Sequence, residues 1–221
     1  MQASELLAQF AVYGRFYERQ IAGVDEHLRD RLEIAPHGWP LEDVVQREPD
    51  LLVVMMNPGA SRPLDALWEQ SGTDAPGFVA AQPDRTQYQI MRLLRATQQK
   101  AQNGQNWQHA RILNLSDLRT PKSAIFIDKL QKYASDDSHS LFSDARREQA
   151  EKLLANRATP VLCAWGLSPH FVGLAQRALR SVAGHPLLGL TNDGVLYRHP
   201  LPQRHDLQLQ WLADISQQVG V

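Results

Sequence analysis

The sequence contains a single cysteine, Cys163. One thiol makes no internal disulfide, so the chain must rely on a packed core, and a reducing compartment is expected. No apolar run approaches the roughly 20 residues needed to cross a bilayer, and the first residues do not form a secretory leader. A cytoplasmic location with no membrane partner is therefore expected. The Gly-Lys-Ser/Thr phosphate loop and the Gly-x-Gly-x-x-Gly dinucleotide loop are both absent, which argues against phosphate cradles of those kinds. Gly-x-Ser-x-Gly is absent too, which argues against a hydrolase nucleophile elbow. The eight histidines (27, 37, 109, 139, 170, 185, 199, 205) show neither His-x-His nor His-Glu-x-x-His spacing. No metal site and no cofactor are expected. Excess charge of one sign is also missing, with 23 Lys+Arg against 24 Asp+Glu. That balance excludes a globally basic nucleic-acid binder but not a local basic face.

What is present suits one folded domain. The 221 residues are 43% hydrophobic and 21% charged, enough for a sizeable core and too apolar for wholesale disorder. The charge is unevenly spread. Residues 1–50 hold ten acidic and five basic side chains, a net of -5. Residues 84–132 hold nine basic and three acidic ones, a net of +6. Each block is either a set of solvated helix faces or, in the basic case, a surface facing an anion.

Periodicity predicts alternating helices and strands. Ser4 caps a predicted helix carrying Leu7, Phe10, Tyr13, Tyr17, Ile21 and Val24. Residues 51–56 form a continuous apolar run of the kind buried on both faces of a sheet. Residues 60–84 are read as a long loop with a short helix near 64–69. Asp84 caps a helix to Gln99. Further strands are predicted at 110–115, 160–165 and 186–190, and further helices start at Ser123, Ser143 and Ser168-Pro169. The tail 206–219 is read as an amphipathic helix. The expected fold is α/β, with three α/β/α layers around a short, mostly parallel sheet of about four strands. Residues 1–221 are read as one domain, with an acidic helical arm at 1–50 packed on a motif-bearing core at 51–204.

In such sheets ligands bind outside the carboxyl ends of the strands. Four loops meet that rule, and they hold the candidate residues. Asn57, Pro58, Gly59 and Ser61 follow the first strand. Asn57 either builds a turn or presents an amide to water or substrate, and Gly59 permits close backbone approach. Asn114, Ser116, Asp117, Arg119 and Lys122 follow the second. There an amide could read a base edge and two cations could hold phosphate, or the loop is Asx-turn chemistry with a surface arginine. Trp165 follows the third strand and is read as core. His199, Pro200, Leu201 and Arg204 follow the fourth. His199 is either an oxyanion donor or a satisfied histidine, and Leu201 a wedge or core. Cys163 is read as a buried small residue.

In order, Val-Val-Met-Met-Asn-Pro-Gly-Ala-Ser, Ile-Leu-Asn-Leu-Ser-Asp-Leu-Arg, Val-Leu-Cys-Ala-Trp-Gly and Gly-Leu-Thr-Asn-Asp-Gly…Arg-His-Pro-Leu resemble a bacterial family without assigned activity, domain of unknown function 1643. The match spans about Leu51 to Leu201. The motifs are more distantly similar to those of the uracil-DNA glycosylase superfamily. There a first strand ends in Asn-Pro-Gly, a later Asn reads uracil and a late His-Pro-Ser loop inserts beside the flipped nucleotide. That resemblance implies a glycosylase-like fold, with Asn57 orienting water, Asn114 reading the base and His199 stabilising the departing base anion. Arg119, Lys122 and Arg204 would hold phosphates. Met55 stands where the glycosylase motif has Gly, and Leu201 replaces Ser. Trp68, Phe78 and Tyr88 are the candidates for the stacking aromatic. Three functions follow as expectations: a metal-free N-glycosidic hydrolase acting on a nucleic acid or nucleotide, a non-catalytic binder of the same ligands, or an interaction protein using the acidic N-terminal helix.

Overall fold

The computed structural model describes residues 2–65, 77–99 and 106–221. The strands are β1 (Phe10–Ile21), β2 (Val24–Pro36), β3 (Leu51–Met55), β4 (Arg62–Pro63), β5 (Gly77–Gln82), β6 (Ala110–Asn114), β7 (Val161–Ala164) and β8 (Leu187–Leu188). The helices are α1 (Ala3–Leu7), α2 (Leu41–Gln46), α3 (Arg85–Gln99), α4 (Ser123–Lys132), α5 (Arg147–Leu153), α6 (Val172–Ser181) and α7 (His205–Val219). The strands form one eight-stranded sheet in the order β4-β5-β1-β2-β6-β3-β7-β8.

The α/β class is as expected, but the sheet is not a short, mostly parallel one. Among the described residues, four of its seven strand pairings are antiparallel. The four strands predicted from sequence lie side by side as β6-β3-β7-β8, all mutually parallel. Sheet alternation splits their side chains between two cores. Leu52 and Val54 join Leu113, Phe126, Ala150 and Ala175 on the side of α4, α5 and α6. Val53 and Met55 join Ile112, Ile90, Leu94 and Trp211 on the side of α3 and α7.

The remaining strands come from segments read otherwise. The predicted N-terminal helix is a β-hairpin, with β1 and β2 paired antiparallel from Phe10↔Pro36 to Ile21↔Val24. Its two-residue turn has positive φ at both centres, Ala22 at 49° and Gly23 at 79°. That turn twists in the sense of the strands it joins. Phe10, Val12 and Phe16 are buried on alternate positions of β1, a period-2 pattern that also satisfies several helical spacings. Aromatic and β-branched content then favours the strand. Residues 10–36 of the acidic arm are therefore not a helical appendage: they lie in the interior of the sheet. In the segment read as a loop, β4 and β5 add two antiparallel strands. Most of the short helix expected near 64–69 falls outside the described residues, as does Trp68.

The hairpin's charges are largely internal. Glu33 is fully buried and accepts hydrogen bonds from His109 Nε2 at 2.7 Å and Arg111 Nε at 2.8 Å, and it pairs with Arg31. Asp30 bonds Arg15, Arg146 and Gln149. Glu26 bonds Tyr133 and Lys129. The helix expected in the first part of the arm is replaced by this hairpin, and three acids of the arm, Glu26, Asp30 and Glu33, are held in internal contacts.

Candidate functional site

A cavity of about 610 Å³ opens beyond the carboxyl ends of the parallel strands. Its wall includes Asn57–Ala60 after β3, Thr120 and Pro121 after β6, Trp165–Ser168 after β7, and the loop of His199 and Leu201–Gln203. The amino end of α3 closes it, through Asp84 to Gln87. All four loops selected from sequence reach this wall, and two of them, those of Asn57 and His199, supply candidate site residues.

Asn57 is held by the neighbouring loop. Its Nδ2 donates to the Leu118 carbonyl at 3.2 Å and the Thr120 carbonyl at 2.9 Å. Two carbonyl acceptors fix which end of the amide is nitrogen. Oδ1 has no hydrogen-bond partner among the described residues and is the acceptor left for a ligand. Gly59 has φ +66°, and a Cβ built there lies 2.6 Å from Asp84 Oδ2. Gly59→Ala is expected to lower stability by about 1–3 kcal/mol, from left-handed strain and the contact with Asp84. Gly38→Ala is the control: its φ is +93° but nothing lies within 4 Å of the added Cβ. A urea midpoint shift no larger than the control's would show that the Asp84 contact is not a constraint.

Asp84 caps α3 as expected, and does more. Oδ1 accepts from the backbone N–H groups of Thr86 at 2.9 Å and Gln87 at 3.2 Å, and the Asp84 N–H donates to Gln87 Oε1 at 2.9 Å. This capping box occupies one carboxylate oxygen. The other, Oδ2, faces Gly59 at the wall.

His199 Nδ1 accepts the backbone N–H of Leu201 at 3.1 Å. Burial pushes the imidazole below its ordinary pKa, with Asp84 opposing. The neutral ring therefore carries its proton on Nε2, a donor without net charge. The proline-rich loop is itself anchored: Gln89 Nε2 donates to the Pro200 carbonyl at 3.3 Å.

Other candidates are placed elsewhere. Asn114 is fully buried, its amide atoms have no hydrogen-bond partner among the described residues, and it is not in the cavity wall. Ser61 and Ser116 are buried behind the wall, and Ser116 Oγ accepts from Leu118 N at 3.3 Å. Asp117 belongs to the Arg146 network. It accepts from Tyr17 Oη at 3.0 Å, and burial, partly opposed by Arg146, pushes its carboxyl up to about 7. The Arg119 guanidinium lies 5.0 Å from the Phe16 ring centre, outside the wall. Lys122 is exposed at the start of α4, and Arg204 pairs with Asp206 at the start of α7. Of the proposed stacking aromatics, Phe78 lies under Arg31 at 5.0 Å and Tyr88 packs on the α3 side of the core. Trp165 is fully buried, edge-on to Tyr197, with Nε1 donating to Val195. It is core, as read, and with Phe171 forms the aromatic part of the wall.

Two wall residues escaped sequence reading. Asp84 was visible only as a helix cap. Arg29 was one charge among many in a predicted arm, yet it is fully buried against the cavity. Nothing local pointed to Arg29.

Among the described residues no group of three His, Cys, Asp or Glu is arranged to hold a metal. No described helix is long and apolar enough to cross a membrane. No protein-family model, curated protein or solved structure matches the chain.

Proposed function

We propose that the cavity is a nucleobase site and that the protein hydrolyses an N-glycosidic bond in a nucleic acid or nucleotide, on a uracil-DNA glycosylase-like core. The observation that carries this reading is that Asn57, Asp84 and His199 line one cavity, with the Asn57 amide and the His199 ring each oriented by backbone hydrogen bonds. The parallel strand order β6-β3-β7-β8, with these loops at its carboxyl end, supports the core assignment. The β1–β2 hairpin is then an elaboration on its β6 side.

The chemistry needs no metal. Asn57 Oδ1 and Asp84 Oδ2 hold a water, and Asp84 takes its proton as the oxygen bonds to the sugar's anomeric carbon. The carbon–nitrogen bond breaks, and its electron pair leaves with the base. His199 Nε2–H donates to the base oxygen where that charge collects. Apolar surface from Met56, Ile127 and Phe171 receives the flat ring.

The test is release of base from oligonucleotides carrying uracil, hypoxanthine or an alkylated base, read as strand scission after alkali. Scission by the native chain, reduced about 100-fold or more in His199→Ala, is expected. No scission of any substrate rejects the hydrolase.

Binding without catalysis is the second reading. One observation favours it: the amide expected to read the base, Asn114, is withdrawn from the wall. Salt-sensitive binding of the same oligonucleotides with no product would establish it.

A further inference from the structure

Arg29 is fully buried, and among the described residues its Nε and Nη1 have no hydrogen-bond partner. Among the described residues no carboxylate lies within ion-pair distance of it. A guanidinium carries five donors in a fixed fork, and leaving them unmet in the interior is costly. Two other buried arginines of the sheet are treated differently, since Arg31 and Arg111 share Glu33, and the part-buried Arg146 bonds Asp30 and Asp117.

The backbone directs Arg29 to its place. The β1–β2 register shifts between Arg15, opposite Arg31, and Phe16, opposite Arg29, so Asp30 is an extra residue in β2. Such a bulge re-aims the side chains beside it. Asp30 meets Arg15, Arg146 and Gln149, while Arg29 lines the cavity. Burial lowers the guanidinium's pKa, but only to about 10, with Asp84 and more distant acids opposing. It stays charged at neutral pH. Among the described residues the charged side chains of the wall are Arg29, Arg85 and Asp84, a net of +1. Arg85 is exposed at the rim, so the deep cation is Arg29.

We infer that the cavity contains an oxyanion subsite centred on Arg29, built to take the carboxylate or phosphate group of a small ligand. The fork matches either group with two parallel bonds, and the net wall charge suits one negative charge. The inference goes beyond the nucleobase reading and does not need a base to be bound.

The experiment is thermal unfolding of the whole chain with sodium phosphate or sodium acetate, ionic strength being held constant with chloride. Saturating oxyanion is expected to raise the midpoint by about 5 °C. In Arg29→Met the rise disappears, and the midpoint without anion equals or exceeds the native one, because an unpaired buried charge has been removed. A residue serving only structure would instead lose stability on this change. Arg85→Ala keeps the rise. If Arg29→Met does not fold, Arg29→Lys decides: the charge stays and the fork is lost, so the same rise requires about ten-fold more anion. A rise with phosphate alone identifies a phosphate ester as the ligand group, and a rise with acetate alone a carboxylate. No rise with either anion, or an undiminished rise in the Arg29 variants, overturns the subsite. Base release is scored separately, so failure of the hydrolase leaves this result standing, and the converse holds.

Discussion

Glu33→Ala is expected to lower the unfolding free energy by about 3–5 kcal/mol at pH 7, because it strands buried positive charge. Glu33 is fully buried, and its carboxylate is the common acceptor of Arg31, Arg111 and His109. The two guanidinium groups also reach carbonyls of the α2 segment, at Val45 and Arg47. Removing the one anion leaves both among themselves, tethered only to neutral oxygens. The pH dependence has a definite sign. Burial would raise the pKa of Glu33, but the His109 hydrogen bond and the two arginines hold it below its ordinary 4.5. Its contribution is therefore complete above the unfolded value and is lost as pH falls through the lower folded one. Glu33→Gln should flatten that acid limb. Urea unfolding at pH 7 and pH 4 measures both effects. A cost under about 1 kcal/mol at pH 7 would mean that solvent, not Glu33, neutralises the arginines.

Asn57→Asp is expected to cost about 2–4 kcal/mol at neutral pH, though it changes one atom's identity. The Nδ2 of Asn57 serves two carbonyls, those of Leu118 and Thr120. A carboxylate there donates nothing and faces two partial negative charges. The acid form can still donate once, so the new carboxyl's pKa rises above the ordinary value of about 3.9. The deficit is therefore smaller in acid and grows as pH rises through that unfolded value, opposite in slope to the loss at Glu33. Base release by this variant should fall in parallel, since the oriented Oδ1 depends on the same two bonds. Equal deficits at pH 4 and pH 7 would show that the amide's donors are not what fixes the loop.

What could be read from the sequence follows from where each signal is local. The strands β3 and β7 are uninterrupted apolar runs, and burial on both faces leaves that mark on the residues themselves. The amino end of α3 is likewise written in Asp84 and Gln87. Strand-end placement brought Asn57, Gly59 and His199 to one cavity without a motif of high specificity. The hairpin was illegible because aromatic residues at 10, 13 and 17 fit a helix as well as a strand, and Ala-Gly lacks the Asn-Gly turn mark. β2 was obscured by its charges. Glu26, Arg29, Asp30, Arg31 and Glu33 read as a solvated face, and only long-range partners such as His109 and Arg146 make their burial tolerable. The same cause hid Arg29, whose meaning depends on a register shift between strands. Asn114 was correctly placed at a strand end, but alternation turned its side chain inward with Ile112 rather than toward the opening.

The lone thiol has a practical meaning that its scarcity did not suggest. Cys163 sits in β7 beside Val54 of β3, fully buried, and burial pushes it up to about 12. Thiolate, the reactive form, is thus nearly absent in the folded chain, and the sulfur is out of reach of reagents. A thiol-labelling clock on the native protein would tick only when the parallel strands separate. With no second cysteine to confuse the reading, its rate reports the opening of the strands that carry the cavity.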